Sequence, residues 1–482
     1  MLHDPDPSLL SDDLAPTAAA ERTWTAADLA ALWIGMVVCV PTYLLAGGLV
    51  DLGMRWWQAV LTIGLGNLIV LVPMVLTGHA GTRYGIAFPV LARASFGVRG
   101  AHVPALARGL VAGGWFGIQT WIGGSAIYQL LGALHGSAIG GVDLPVLGIN
   151  GAELGCFLTF WALQVVILVR GIASIKALER WAAPFLVAMG LALLGWAWWR
   201  AGGLGPMLAG ARTSHQAGVA GTRFWALFFP SLTAMVGFWA TLSLNIPDFT
   251  RYARSQRDQV LGQALGLPVF MMLFAFIGVA VTSATVVIYG EPIADPTALL
   301  GRMGSGVAVI ASLVALTLAT LSTNLAANVV SPANALVNLM PRRIDFRTGA
   351  LITAGLGIAM FPWKLIESTR GYIFTWLVGY SALLGPIGGI ILADYLLLRR
   401  TRLVVDALFQ RHGPYAYRHG INPAAMLALL AGVAPCVPGF LHAAGLVERV
   451  GAIFAAFYTY AWFVGFVLAA SVYLLAMRGH RR

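Results

Sequence analysis

The chain alternates long apolar runs with short polar stretches. Most of the runs lack the polar face that a water-exposed amphipathic helix repeats every three to four residues, as expected of segments that are apolar on all sides. A window of about 19 residues marks twelve of them, at 28–50, 57–77, 105–134, 150–169, 181–199, 224–247, 262–289, 305–330, 348–363, 371–395, 422–446 and 450–477. The ninth is short, since a helix needs about 20 apolar residues to cross a bilayer. The pattern predicts an all-α polytopic membrane protein with twelve transmembrane helices. Its units are a tail at 1–27, five helices in 28–200, an external connection at 201–223, five helices in 224–397, a loop at 398–421, two additional helices in 422–477 and a tail at 478–482.

Composition agrees, with 59% hydrophobic and 10% charged residues, where a soluble domain carries about 25% charged. A net charge of +11 raises the question of nucleic acid. The basic residues, however, lie in short clusters between apolar runs, so they read as topology signals. Of the 30 lysines and arginines, 22 fall on the side of the predicted topology that holds both termini and 8 on the other. That excess places both termini in the cytoplasm by the positive-inside rule. The polar first 24 residues begin with Asp4, Asp6, Asp12 and Asp13, the wrong charge for a secretory leader, and are expected to form a short disordered tail.

No catalytic constellation is visible. The chain has no H-E-x-x-H, G-x-S-x-G or P-loop string, and almost no carboxylate or histidine within its apolar runs. The nine histidines fall in tails, loops or span ends and read as solvated. Cys39, Cys156 and Cys436 lie far apart in apolar runs and read as small core residues. Neither a covalent cofactor nor a metal cluster is implied.

Polar residues inside the spans carry the chemistry. The run 313–332, LVALTLATLSTNLAANVVSP, has Ser322, Thr323, Asn324 and Asn328 at its centre. Such groups are costly in hydrocarbon unless they face protein, water or a ligand. Ala319, Ser322 and Thr323 share one helix face by their i, i+3, i+4 spacing. Two hydroxyls with carbonyls from a broken neighbour make a hard-oxygen site for a small monovalent cation; the plainer reading is hydroxyls bonded back to their own helix. Asn328 points about 140° away from Thr323 on an ideal helix. In GGWFGIQTW, Trp115 and Gln119 at i and i+4 set a flat stacking surface beside an amide, which suits a planar heterocycle. Pro41 with Gly35, and Gly237 with Pro230, put helix breakers in corresponding spans of the two halves, the mark of a transporter site near the midplane. Trp239 lies beside the second break as a candidate second stacking face. Asp248 and Arg251 are expected to cap their helix end as a local ion pair.

At these residues the chain resembles the nucleobase:cation symporter-1 family, permeases for hydantoins, allantoin, uracil, cytosine and related rings. The shared strings are RTW at 22–24, YGIAFPVLARASFGVRGA at 84–101, WFGIQTW at 115–121, NIPDFTRYA at 245–253, STNLAANVVSP at 322–332, PWK at 362–364 and GPIGGIILADY at 385–395. The resemblance implies a LeuT-type five-plus-five inverted repeat with two extra C-terminal helices. It also implies that Trp115 and Trp239 sandwich the ring while Gln119 and Asn328 hydrogen-bond its edges. The family's sodium site falls on the backbone carbonyls of Gly35, Val38 and Ala319 and the hydroxyls of Ser322 and Thr323. Where several relatives place Gln or Asn near the ring in the first broken span, this chain has Cys39, so the identity of the ring does not carry over.

The expected function is import of a small planar nitrogen heterocycle (nucleobase, allantoin or hydantoin type) with a monovalent cation, Na+ rather than H+, by alternating access through the inner membrane. The partners implied are the ring, the cation and the lipid bilayer, with no nucleic acid. Two rival readings remain: a proton-coupled permease for a vitamin-type pyrimidine, and a membrane receptor that binds the same ligands without moving them.

Overall fold

The structure is a computed structural model and describes residues 3–135, 139–170, 172–213, 222–303 and 306–480. Every predicted span has a helix in it. Among the described residues, six helices are long and apolar enough to cross a membrane alone, and two bent pairs qualify when each is taken as one span. The first pair, Ala26–Val37 and Val40–Asp51, turns by 57°; the last, Ala452–Thr459 and Ala461–Ala476, turns by 93°. The ninth helix, Phe346–Ala359, has only 14 residues and so reaches about 21 Å.

Two bodies face each other. In one, Gln256–Tyr289 packs against Ala26–Val37, Val40–Asp51 and Trp56–Tyr84, with Thr222–Phe238 and Ala240–Asn245 on the last of these. In the other, His102–His135 is surrounded by Gly151–Arg170, Val307–Asn328, Val330–Leu339 and Phe346–Ala359. Ile172–Arg200 lies between the two bodies, and the C-terminal helices pack on Val378–Leu392. Small residues set these distances. Gly262 and Gly266, one turn apart, lie against the backbone of Ala26 and Ala30, and a Cβ on Gly117 would overlap the carbonyl of Gly357. Because backbone cannot step aside as a side chain can, Gly117→Ala is expected to lower the thermal midpoint of the solubilised protein by several degrees. A scan of purified variant against parent checks it.

Several expectations are corrected. Residues 3–24 are ordered, not disordered. Leu9 and Leu14 are buried, Asp6 and Thr17 donate backbone N–H bonds to Phe409 and Gly85, each 2.8 Å, and burial lifts the Asp13 carboxyl above the usual carboxylate range. Gly85 can end its helix facing this tail because its φ of 70° is left-handed, a conformation glycine adopts freely. Arg93 and Arg108, counted among the basic residues on the side of the termini, are fully buried. So is Asp248, which makes no ion pair with Arg251. Its carboxylate accepts the Phe88 N–H at 2.8 Å, while Arg251 donates to the Asp13 carbonyl and the Tyr252 hydroxyl. His79 is partly buried and bonds Tyr395 at 2.7 Å, whereas His215, Arg481 and Arg482 lie outside the described residues. Short helices Phe88–Phe96, Leu204–Thr213 and Pro296–Arg302 occupy stretches that were read as loops.

Candidate functional site

The two helix breaks meet. Ala26–Val37 stops at Val38, Cys39 is extended (φ −143°, ψ 159°), and the chain restarts at Val40 with Pro41 in the first turn. In the other half the break is at Trp239 (φ −104°, ψ 8°), between Thr222–Phe238 and Ala240–Asn245. Pro230 sits inside the preceding helix, so the break follows Gly237, which is pressed against Ser381 and the Leu377 carbonyl. A third break at Val329 makes Asn328 the last residue of its helix. Each break frees carbonyls or N–H groups from their intrahelical partners.

A cleft of about 30 Å³, the space of one or two waters, opens where these breaks converge. Cys39, Trp115, Gln119, Trp239 and Asn328 all line it, together with Met36, Pro41 and Phe238. The structure thus brings the five candidate ring contacts to one place, and each is at least nine-tenths buried. Phe238 stands edge-on to both indoles, with centroids 5.3 Å from Trp115 and 4.9 Å from Trp239. The Trp239 indole N–H and the Gln119 carbonyl oxygen are buried without a hydrogen-bond partner. Asn328 Nδ2 donates to Asn324 Oδ1 at 2.9 Å.

The oxygen candidates lie on the neighbouring flank. Thr323 Oγ1 donates to the Gly35 carbonyl at 3.1 Å, and Val38 and Ala319 pack in one apolar cluster. Ser322 is buried on the same helix face. This joins the end of the first half-helix to the Val307–Asn328 helix with hydroxyl and carbonyl oxygens, the donor set of a hard monovalent cation.

On the face away from the termini, the π-helical turn Gly371–Leu377 closes over the cleft. Tyr372, Trp376 and Tyr380 surround the Trp115 ring at 6.2–6.4 Å, and the Tyr372 hydroxyl donates to the Pro41 carbonyl at 3.2 Å. Sequence reading missed this aromatic cover, though its i, i+4, i+8 spacing in YIFTWLVGY was a usable signal. On the terminal face, a buried polar chain crosses between the bodies. Arg108 Nε donates to Asn245 Oδ1 at 2.8 Å, the Asn245 amide donates to the Ser331 hydroxyl, and the Asp248 carboxylate lies beside Ser331. Aromatic packing thus lies over Trp115 on one face, and a buried polar chain crosses between the bodies on the other.

Comparison with known proteins follows this geometry. Residues 16–465 match the family described as permease for cytosine/purines, uracil, thiamine and allantoin. The chain is 52% identical over 475 residues to the purine-uracil permease NCS1 of Arabidopsis thaliana, covering 98% of this chain and 78% of that one. It is 39% identical over 480 residues to the allantoin permease of Bacillus subtilis, covering 98% and 94%. Among solved structures it superposes on Mhp1, a nucleobase-cation-symport-1 family transporter in a closed conformation with bromovinylhydantoin bound, with a TM-score of 0.78 at 27% identity, covering 98% and 96%.

Proposed function

The chain belongs to the permease family for cytosine/purines, uracil, thiamine and allantoin, and from that premise we propose that it is a Na+-coupled symporter importing a small planar ring with N–H and C=O edges. It is a multi-pass membrane transporter and not an enzyme. The observation that carries the proposal is the convergence of two indoles and two carboxamides on one cleft at the meeting of the helix breaks. Trp115 and Trp239 supply stacking faces, and Gln119 and Asn328 supply the hydrogen bonds that orient a ring between them. Cys39 puts a thiol where an amide would add a further polar contact, which leaves ring selection to the remaining groups.

The Gly35, Val38 and Ala319 carbonyls with the Ser322 and Thr323 hydroxyls would hold the cation. The ion would knit the half-helix ending at Val38, which belongs to the body of the Gln256–Tyr289 helix, to the opposing body. A ring bound against the same break stabilises the same arrangement, so ion and ring raise each other's affinity by one reciprocal factor, commonly about 5- to 150-fold. A proton-driven permease is the rival. The basic residues gathered at the terminal face support an inner-membrane orientation with both termini cytoplasmic.

The test is counterflow of labelled uracil, allantoin or hydantoin in proteoliposomes, with Na+ and H+ gradients imposed separately. Accumulation driven by Na+ is expected, and Ser322→Ala or Thr323→Ala should abolish the Na+ dependence while leaving weak ring binding. Uptake that follows only the proton gradient rejects the sodium assignment. Binding without counterflow favours a receptor.

A further inference from the structure

Gln164 is fully buried in the Gly151–Arg170 helix, touches neither the cleft nor the oxygen cluster, and has no role in the transport reading. Its amide belongs to a hydrogen-bond chain whose polarity is forced from one end. The Phe116 backbone carbonyl can only accept. It receives the Thr120 hydroxyl at 2.6 Å and one Asn324 Nδ2 hydrogen at 3.0 Å. With its hydrogen committed to that carbonyl, Thr120 Oγ1 is an acceptor for Gln164 Nε2 at 2.9 Å. Gln164 must then turn its oxygen to Asn324, and Asn324 Nδ2 donates to Gln164 Oε1 at 2.7 Å. Asn324 Nδ2 also lies 3.3 Å from Thr120 Oγ1; with its nitrogen drawn to these three acceptors, Asn324 turns Oδ1 toward Asn328. Asn328 can meet it only with its amide nitrogen.

We propose that Gln164, held by Thr120 and acting with the Phe116 carbonyl on Asn324, fixes the amide of Asn328 with its nitrogen turned into the protein and its oxygen turned to the cleft. The site then selects rings that present an N–H donor, as imides, lactams and ureides do, over rings of the same shape with a bare nitrogen acceptor at that edge. Asparagine and glutamine amides rotate by half a turn at little cost when nothing holds them. Asn328 at a helix terminus would otherwise serve either kind of edge. Gln119 makes no such chain, and its oxygen is unpartnered, so it adapts to whatever the ring shows on the other side. Gln164 is thus a positioning residue that sets specificity from the adjoining helix, well behind the stacking faces.

This inference rests on the reading that Asn328 contacts the ring, and the experiment separates the two. Full-length protein is reconstituted, and the binding of uracil, hydantoin and allantoin is compared with that of cytosine, which replaces a uracil ring N–H by an acceptor nitrogen at nearly the same shape. The parent protein is expected to prefer at least one of the N–H rings over cytosine by tenfold or more. Gln164→Met, similar in volume and without a hydrogen-bonding amide, should shrink that preference at least fivefold. Gln164→Glu, whose neutral acid offers Asn324 a carbonyl and Thr120 an O–H, should keep it. If Gln164→Met folds poorly, the isosteric Thr120→Val cuts the same chain and should weaken the preference in the same direction. A merely structural role would lower the amount of folded protein and leave the preference among rings as it was. Parent protein that binds no ring overturns the transport reading and this inference with it. Normal ring binding with an unchanged preference in the folded Gln164→Met or Thr120→Val protein, or a parent that favours cytosine, overturns this inference alone.

Discussion

Trp115→Ala and Asn328→Ala are each expected to abolish saturable uptake of the ring while the protein still reaches the membrane. Trp115 is 5% exposed and is packed by Phe238, Tyr372, Trp376 and Tyr380. Deleting the indole removes one stacking face, worth about 1–3 kcal/mol per base-sized ring, and it also removes the floor on which the π-helical cover rests. At about 1.4 kcal/mol per tenfold, the first loss alone lowers affinity by about 5- to 150-fold. Loss of the seat for the cover adds a failure to close. Trp115→Phe keeps a smaller face and is expected to retain part of the uptake. On the proposed binding mode, Asn328→Ala would leave a ring N–H without its acceptor in a desolvated cleft, a cost of about 1–3 kcal/mol, and would also leave Asn324 Oδ1 without a donor. Labelled-substrate uptake normalised to surface protein checks both. Normal uptake in the two variants would remove this cleft from the transport path.

The distribution of apolar runs and of arginines between them was enough to read the helical membrane architecture, because hydrocarbon tolerates no other way of satisfying backbone groups. The cleft was legible for the same reason: an indole and amides in mid-span are expensive and need a purpose. What escaped were features that arise only from tertiary placement. Arg93, Arg108 and Asp248 look like ordinary interfacial charges in sequence, since a charge near a span end is as often solvated as buried. The ordering of Leu9 and Leu14 depends on a surface built by residues such as Phe409, almost four hundred positions away. Asn324 stood out as a polar residue in an apolar run, but Gln164 gave no reason to be linked to it until helices distant in the chain were packed side by side. The second break falls at Trp239, beside Gly237 as expected, while Pro230 stays inside its helix, since a proline in a membrane helix is tolerated where neighbours take up the freed carbonyl.

Arg108→Met is expected to destabilise the protein by about 3–5 kcal/mol, the usual consequence of removing one member of a buried charge set, and Asp248→Asn in the same chain is expected to restore a substantial part. Arg108 is fully enclosed, with its Nε on Asn245 and with neither Nη accounted for by a hydrogen bond. The buried Asp248 carboxylate attracts it without forming an ion pair. Take the guanidinium away and the buried Asp248 carboxylate, beside the N-terminus of Phe88–Phe96, keeps only Arg251 as an attracting cation, while Asn245 Oδ1 loses its donor. An asparagine at 248 keeps an acceptor for the Phe88 N–H and carries no charge, so the double variant avoids the larger of the two penalties. Thermal unfolding of the solubilised parent, both single variants and the double variant gives the coupling directly. If the sites are independent, the two single effects add and the double variant is the least stable of the four; if the charges compensate each other, it is more stable than Arg108→Met alone. The second outcome matters for transport as well. Arg108 and Ser331 belong to one helical body and Asn245 and Asp248 to the other, so in the proposed transport cycle the strength of this polar chain is part of what must be overcome for the two bodies to part on that side.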